Sequence, residues 1–189
     1  MLKDLVYKNR SYRKFNSERK ISQEELLEFV DNARVTASSK NRISIKYKLN
    51  NMHYDLDFVF KQLSWAWYLK DWKGPTEAER PTAYIAVFLD KDLNDNAFID
   101  VGIASQTILL SAVEKGLGGC IIRTVNRYRM RKRFGYPENL DLVQIIALGE
   151  PAQDIEIVDI DESGSIEYYE NEQKVHFVPK RSLREIIID

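Results

Sequence analysis

Four cations, a serine and two aromatic rings fall within the eight residues KNRSYRKF, positions 8 to 15. Arg10 and Arg13 are three residues apart, so on a helical turn both guanidinium groups project to one side with the Ser11 hydroxyl beside them. Such charge-assisted donors suit an anion, a phosphate monoester above all, because arginine can present two parallel N–H groups to one oxyanion. Taken alone, the octapeptide reads first as an ordinary solvated basic turn, since charge is the usual covering of a protein surface. A second basic run, RTVNRYRMRKRF at 123 to 134, interleaves six cations with aromatic residues. Its composition fits phosphate contact and base stacking, or simply the solvated face of a helix.

Other chemistry is sparse. His53 and His176 are the only histidines, and neither has a histidine or cysteine neighbour at metal-ligand spacing, so both read as surface or packing residues. Cys120, the single cysteine, sits in the apolar run GGCII, where a thiol is inert filler. The carboxylates are scattered on polar faces without a catalytic pair. The glycines of EKGLGGC do not form a dinucleotide fingerprint, which requires strand, glycine turn and then helix, whereas the order here is helix, glycines, strand. Enzymes that borrow a cofactor's reactivity need binding and orienting groups more than acid–base side chains, and this chain has the former.

The elements that must position these residues follow from spacing. SQEELLEFVDNARV predicts a helix in which Ser22 caps and Glu25 returns the bond, with Leu26, Leu27, Val30 and Ala33 at helical spacing. ISIKYKL (43 to 49) alternates as a half-buried strand does, and AYIAVFL (83 to 89) predicts another. Between them, DFVFKQLSWAWYLKDWKGP reads as a short helix and then a loop, stopping at Gly74-Pro75. The stretch from 97 to 116 is apolar nearly all round, with Gly116 placed to cap it, and predicts a central buried helix. GGCII and LVQIIAL read as interior strands flanking a short helix capped by Asn126, and SIEYYE with KVHFVP as a hairpin. The sum is an α+β domain with helices packed on a mixed sheet.

With 189 residues, 44% of them hydrophobic, one domain spanning 1–189 is expected. The 28 basic and 29 acidic residues leave a net charge of −1, so attraction for an anion must come from local clustering, and nucleic-acid binding is not expected. One cysteine excludes an internal disulfide framework and any multi-cysteine metal site. No signal peptide or membrane span is read in the sequence, and a cytoplasmic protein is expected.

The segment NRSYRKF resembles the N-terminal R-R-S-x-R-x-F signature of the nitroreductase family of FMN-dependent oxidoreductases. TASSKNRIS resembles that family's A-P-S-x-x-N-x-Q-P loop, and GPTEAERPTAYIAV, DVGIASQTILLSAVEKGLGGCII, QIIALGEP and VPKRSLREII continue the likeness in order along nearly the whole chain. The resemblance implies a nitroreductase-like fold, a mixed central sheet flanked by helices, and a homodimer with FMN at its interface and the long helix buried there. It implies hydride transfer from NADH or NADPH through flavin N5 to a small electron-poor acceptor, a nitroaromatic or quinone, by ping-pong kinetics. Relatives of this architecture also carry out dehalogenation, flavin breakdown and azoline oxidation.

Carried over by resemblance, Arg10, Ser11 and Arg13 would grip the FMN phosphate together with Lys180 and Arg181, so the two ends of the chain should meet. Arg13 would also lie near the pyrimidine edge, where a fixed cation stabilises a reduced flavin. Ser38, Ser39 and Asn41 would reach the flavin of the other subunit. At the end of GGCII, Ile122, Arg123 and Thr124 would face the ring, the last two through main chain. Trp65, Trp67, Tyr68 and Trp72 could wall the pocket or pack in the core. The chain departs from the pattern at Asn9, at Ile43-Ser44 and at Arg123 and Thr124. Lys8 and Lys14 are assigned to solvent.

Overall fold

A computed structural model describes residues 1–188. The chain begins with a helix the sequence reading did not foresee, α1 (Leu2–Lys8), none of whose residues is buried. It has no apolar stripe facing the core to betray it. After the two-residue strand β1 (Phe15–Asn16) comes α2 (Gln23–Arg34), opened by the expected capping box. The Glu25 N–H donates to Ser22 Oγ at 3.2 Å and the Ser22 N–H to Glu25 Oε2 at 2.9 Å. This helix buries Leu26, Phe29 and Ala33, whereas Leu27, expected in the core, is exposed.

β2 (Ile45–Asn50), α3 (His53–Phe60) and β3 (Ala83–Asp90) follow. Then come α4 (Phe98–Glu114), β4 (Gly118–Ile122), α5 (Arg127–Phe134) and the long strand β5 (Leu140–Pro151). β6 (Ile155–Asp159), β7 (Tyr169–Glu170), β8 (His176–Lys180) and α6 (Leu183–Ile186) complete the chain.

The central sheet has the order β1-β5-β3-β2, with β4 also on β5. Its ladders are antiparallel, and a bridge between Ser11 and Gly119 adds a parallel pairing. In the smaller sheet β8 pairs with β7 as the expected hairpin and also runs parallel to β6.

Side chains alternate across β3, placing Ile85, Val87 and Leu89 in one core with α2 and α4, and Tyr84, Ala86 and Phe88 in a second core with Val59 and Met130. The partner register slips between Val87, opposite Gln144, and Phe88, opposite Leu142, which makes Val143 an extra residue in β5. Arg127 covers this bulge, donating from Nε to the Leu142 carbonyl at 2.8 Å and from Nη2 to the Val143 carbonyl at 3.0 Å.

α4 turns Val101, Ala104, Ile108 and Ala112 inward, but Phe98 and Ile99 are exposed, so the helix expected to be buried all round is buried on one face in the single chain. It stops as expected at Gly116, whose φ of +74° lets the Leu117 N–H reach the Ala112 carbonyl at 2.9 Å. No helix among the described residues is long and apolar enough to cross a membrane.

Candidate functional site

The segment from 10 to 14 is not helical. α1 ends at Lys8 with Asn9 extended, and Ser11 bridges to Gly119 at the start of β4. Alignment against the sheet, rather than a helical turn, therefore sets the direction of Arg10 and Arg13. The Arg10 guanidinium turns back to the Val6 carbonyl at 2.7 Å, while the Arg13 main-chain N–H is held by Gln153 Oε1 at 2.8 Å. Lys8 is exposed as expected. Lys14 is not: it forms a half-buried ion pair of 2.7 Å with Glu170, because pairing of the two chain ends brings β7 beside it.

Two cavities share Arg13 and Tyr168 in their linings and so lie side by side; together they are called the groove, and each a lobe of it. The first lobe, about 390 Å³, is lined by Asn9, Arg10, Ser11, Arg13, His176 and Lys180 among others. The second, about 170 Å³, is lined by Trp65, Trp67, Cys120, Ile122, Arg123 and Thr124 among others. Residues from both ends of the chain thus meet, as expected. Lys180 lines the groove, whereas Arg181 is exposed and turns to Glu185 at 3.4 Å.

Arg13 sits in a cradle that the sequence reading missed. Its Nη1 donates to the Ser11 carbonyl at 3.1 Å and lies 3.4 Å from His176 Nε2, and its guanidinium stands 4.5 Å from the Tyr168 ring centroid. His176 is buried, and burial, reinforced by the Arg13 charge, pushes its pKa down to about 4. A neutral ring that accepts from Arg13 at Nε2 carries its proton on Nδ1, a buried atom without a partner among the described residues. Arg10 Nε and Trp65 Nε1 are likewise buried donors without partners, and both residues line the groove. Nothing in the local sequence around His176 signals this burial; only the pairing of β8 with β6 and β7 creates it.

The second lobe rests on main chain. The ladder of β4 with β5 ends at Ile122 and Ile145, leaving the N–H groups of Arg123 and Thr124 without acceptors among the described residues. The Thr124 carbonyl accepts from the Ser64 N–H at 3.0 Å, and Leu63 bridges to Val125, so the aromatic segment is fastened to this strand end. Ala66 follows with φ of +45°, a left-handed turn between Trp65 and Trp67. Tyr68 packs against Tyr168 at 5.0 Å between centroids and is not part of the lining, and neither is Trp72. Cys120 is buried, and burial pushes its thiol pKa up, which suits packing and not nucleophilic attack.

Ser38, Ser39 and Asn41 lie elsewhere. The Ser39 N–H donates to the buried Asp100 carboxylate at 3.0 Å, and Ser38 and Ser39 line a cavity with Phe98, Ile99 and Ile103 of α4. They do not line the groove of their own chain. The basic run of α5 is largely committed: Arg127 covers the β5 bulge, Arg131 donates to the Tyr136 and Leu140 carbonyls, and Arg133 pairs with Asp55 at 3.6 Å. No group of residues able to hold a metal ion occurs among the described residues.

Residues 58–150 match the family model described as the nitroreductase family. A nitroreductase family protein of Streptococcus pneumoniae is similar to the chain with a TM-score of 0.74 at 12% identity, covering 100% of both chains. An FMN-dependent nitroreductase of Clostridium difficile is similar with a TM-score of 0.64 at 22% identity, over 79% of this chain and 87% of that one. A nitroreductase family protein of Clostridium difficile reaches 0.65 at 23% identity, over 79% and 84%. No curated protein matches the sequence.

Proposed function

We propose that this chain is an FMN-dependent oxidoreductase of the nitroreductase family fed by NADH or NADPH, a reading supported by the family match over residues 58–150 and by a fold like that of nitroreductase family structures. The observation that carries the reading is the two-lobed groove, with phosphate-type donors from both chain ends in one lobe and free main-chain N–H groups in the other. Bound FMN supplies a two-electron carrier able to take hydride from NAD(P)H at N5 and pass electrons to a small electron-poor acceptor, a nitroaromatic or quinone, in a ping-pong cycle.

The protein's share is binding and orientation. Ser11, Arg10, Arg13 and Lys180 neutralise and hydrogen-bond the phosphate, with Lys180 rather than Arg181 as the C-terminal cation. His176 and Tyr168 hold the Arg13 fork in place. Ile122, Arg123 and Thr124 face the ring, the last two through their N–H groups, and Trp65 helps exclude water. Ser38, Ser39 and Asn41 complete the site from a second copy, since none of them lines the groove of its own chain and the two serines flank the exposed apolar part of α4. Homodimerisation is therefore part of the reading, and a cytoplasmic setting suits its pyridine-nucleotide donor.

Purified protein should carry, or take up, a yellow flavin chromophore that NADH or NADPH bleaches without oxygen. Protein that stays colourless after incubation with FMN contradicts the proposal.

A further inference from the structure

The groove is charged in one sense only. Arg10, Arg13, Arg123 and Lys180 line its lobes and no carboxylate of the described residues does, in a chain whose formal net charge is −1. Three of these cations belong with the phosphate end, but Arg123 stands in the other lobe, where the FMN reading places the ring and the reacting substrate. Its exposed guanidinium has no hydrogen-bond or carboxylate partner among the described residues. Arg127, one helical turn on, spends its guanidinium on the Leu142, Val143 and Arg123 carbonyls.

The same lobe presents an aromatic face. Trp67 is 86% exposed, although its segment is fixed by the Ser64 bond to Thr124 and by the turn at Ala66. An apolar ring of this size left in water on an anchored, conformationally costly turn is a typical feature of a ligand site. A free guanidinium and an exposed indole on one lobe match a planar ligand that carries a negative charge.

We infer that the substrate lobe selects an aromatic anion, a carboxylate or sulfonate, with Arg123 meeting the charge and Trp67 offering a stacking face. This rests on the FMN reading for the lobe's role as the substrate lobe. The pyridine nucleotide also carries anionic groups, its phosphates, and the test separates that source from the acceptor.

FMN-incubated protein is titrated without reductant with 4-nitrobenzoate and with its neutral isostere 4-nitrobenzamide, following tryptophan fluorescence, while flavin absorbance reports FMN occupancy in the same samples. The carboxylate should bind about tenfold more tightly than the amide at low salt, and the preference should fall to about twofold or less in Arg123→Gln. Equal affinities in the wild type, or a preference that survives in Arg123→Gln, overturns the assignment. A third arm measures binding of NAD+ and NADP+: if Arg123→Gln weakens these and leaves the nitrobenzoate preference intact, the anion is the nucleotide's and the acceptor assignment fails. Samples without flavin that still prefer the carboxylate support the anion site and count against the FMN reading.

Discussion

Arg13 joins the two lobes, and its neighbours hold it aimed. His176 can accept from it only while neutral, and burial beside the guanidinium guarantees that state by holding the imidazole pKa down to about 4. Unfolded, the same ring takes up a proton near its ordinary value of about 6.5. Between those values the unfolded chain binds more protons than the folded one, so stability is full above pH 6.5 and falls as the pH drops toward 4. The expected loss from this residue alone by pH 4.5 is roughly 2–3 kcal/mol. Chemical denaturation from pH 7.5 to 4.5 should show a shallower fall in His176→Gln than in the wild type; parallel profiles would show that His176 is not the group responsible. At this scale Arg10, Ser11 and Arg13 were legible because clustered charge is visible in one dimension. His176 and Tyr168 were not, since their places depend on pairing between segments some 160 residues distant in sequence from Arg13.

The strand β4 carries the far lobe, and its glycines explain its seat. A Cβ on Gly119 would come within 2.5 Å of the Ala147 carbonyl oxygen and 2.7 Å of Leu109 Cδ2, so the α4 side chains and β5 close on bare backbone there. Because the nearest contact is main chain, Gly119→Ala should cost about 1–3 kcal/mol and lower the melting temperature. A change within about 0.5 kcal/mol would mean that the strand can shift. Order and spacing identified this strand and the helix stop at Gly116 in the sequence, because cap and period are local signals. The aromatic stretch was harder: rings serve cores and pockets alike, and only in the folded chain, with Leu63 bridged to Val125, do Trp65 and Trp67 line the lobe while Trp72 does not. The Arg-rich helix was ambiguous for a similar reason, as backbone carbonyls that engage Arg127 and Arg131 leave no trace in composition.

At the scale of the molecule, the proposed site calls for a second copy of the chain. Phe98, Ile99 and Ile103 are exposed on α4 beside the Ser38–Ser39 loop, which lies away from the groove of the same chain. Burying such side chains is worth roughly 1.5–3 kcal/mol each, so two charges placed among them should separate the subunits. Sedimentation should give a dimer for the wild type and a monomer for Ile99→Asp with Ile103→Asp, with weaker FMN binding in the variant. A wild-type monomer that binds FMN fully would contradict the shared site. The meeting of the chain's ends unites these scales: the Lys14–Glu170 ion pair and the Arg13–His176 contact bring residues 10 to 13 and Lys180 around one lobe.

The most direct measurement is a comparison of FMN with riboflavin, which differs only by the phosphate, in equilibrium titrations followed by quenching of flavin fluorescence. Two or more charge-assisted hydrogen bonds at about 1.5–3 kcal/mol each predict that FMN binds at least about a hundredfold more tightly. Equal affinities, or no binding of either flavin, would contradict the account.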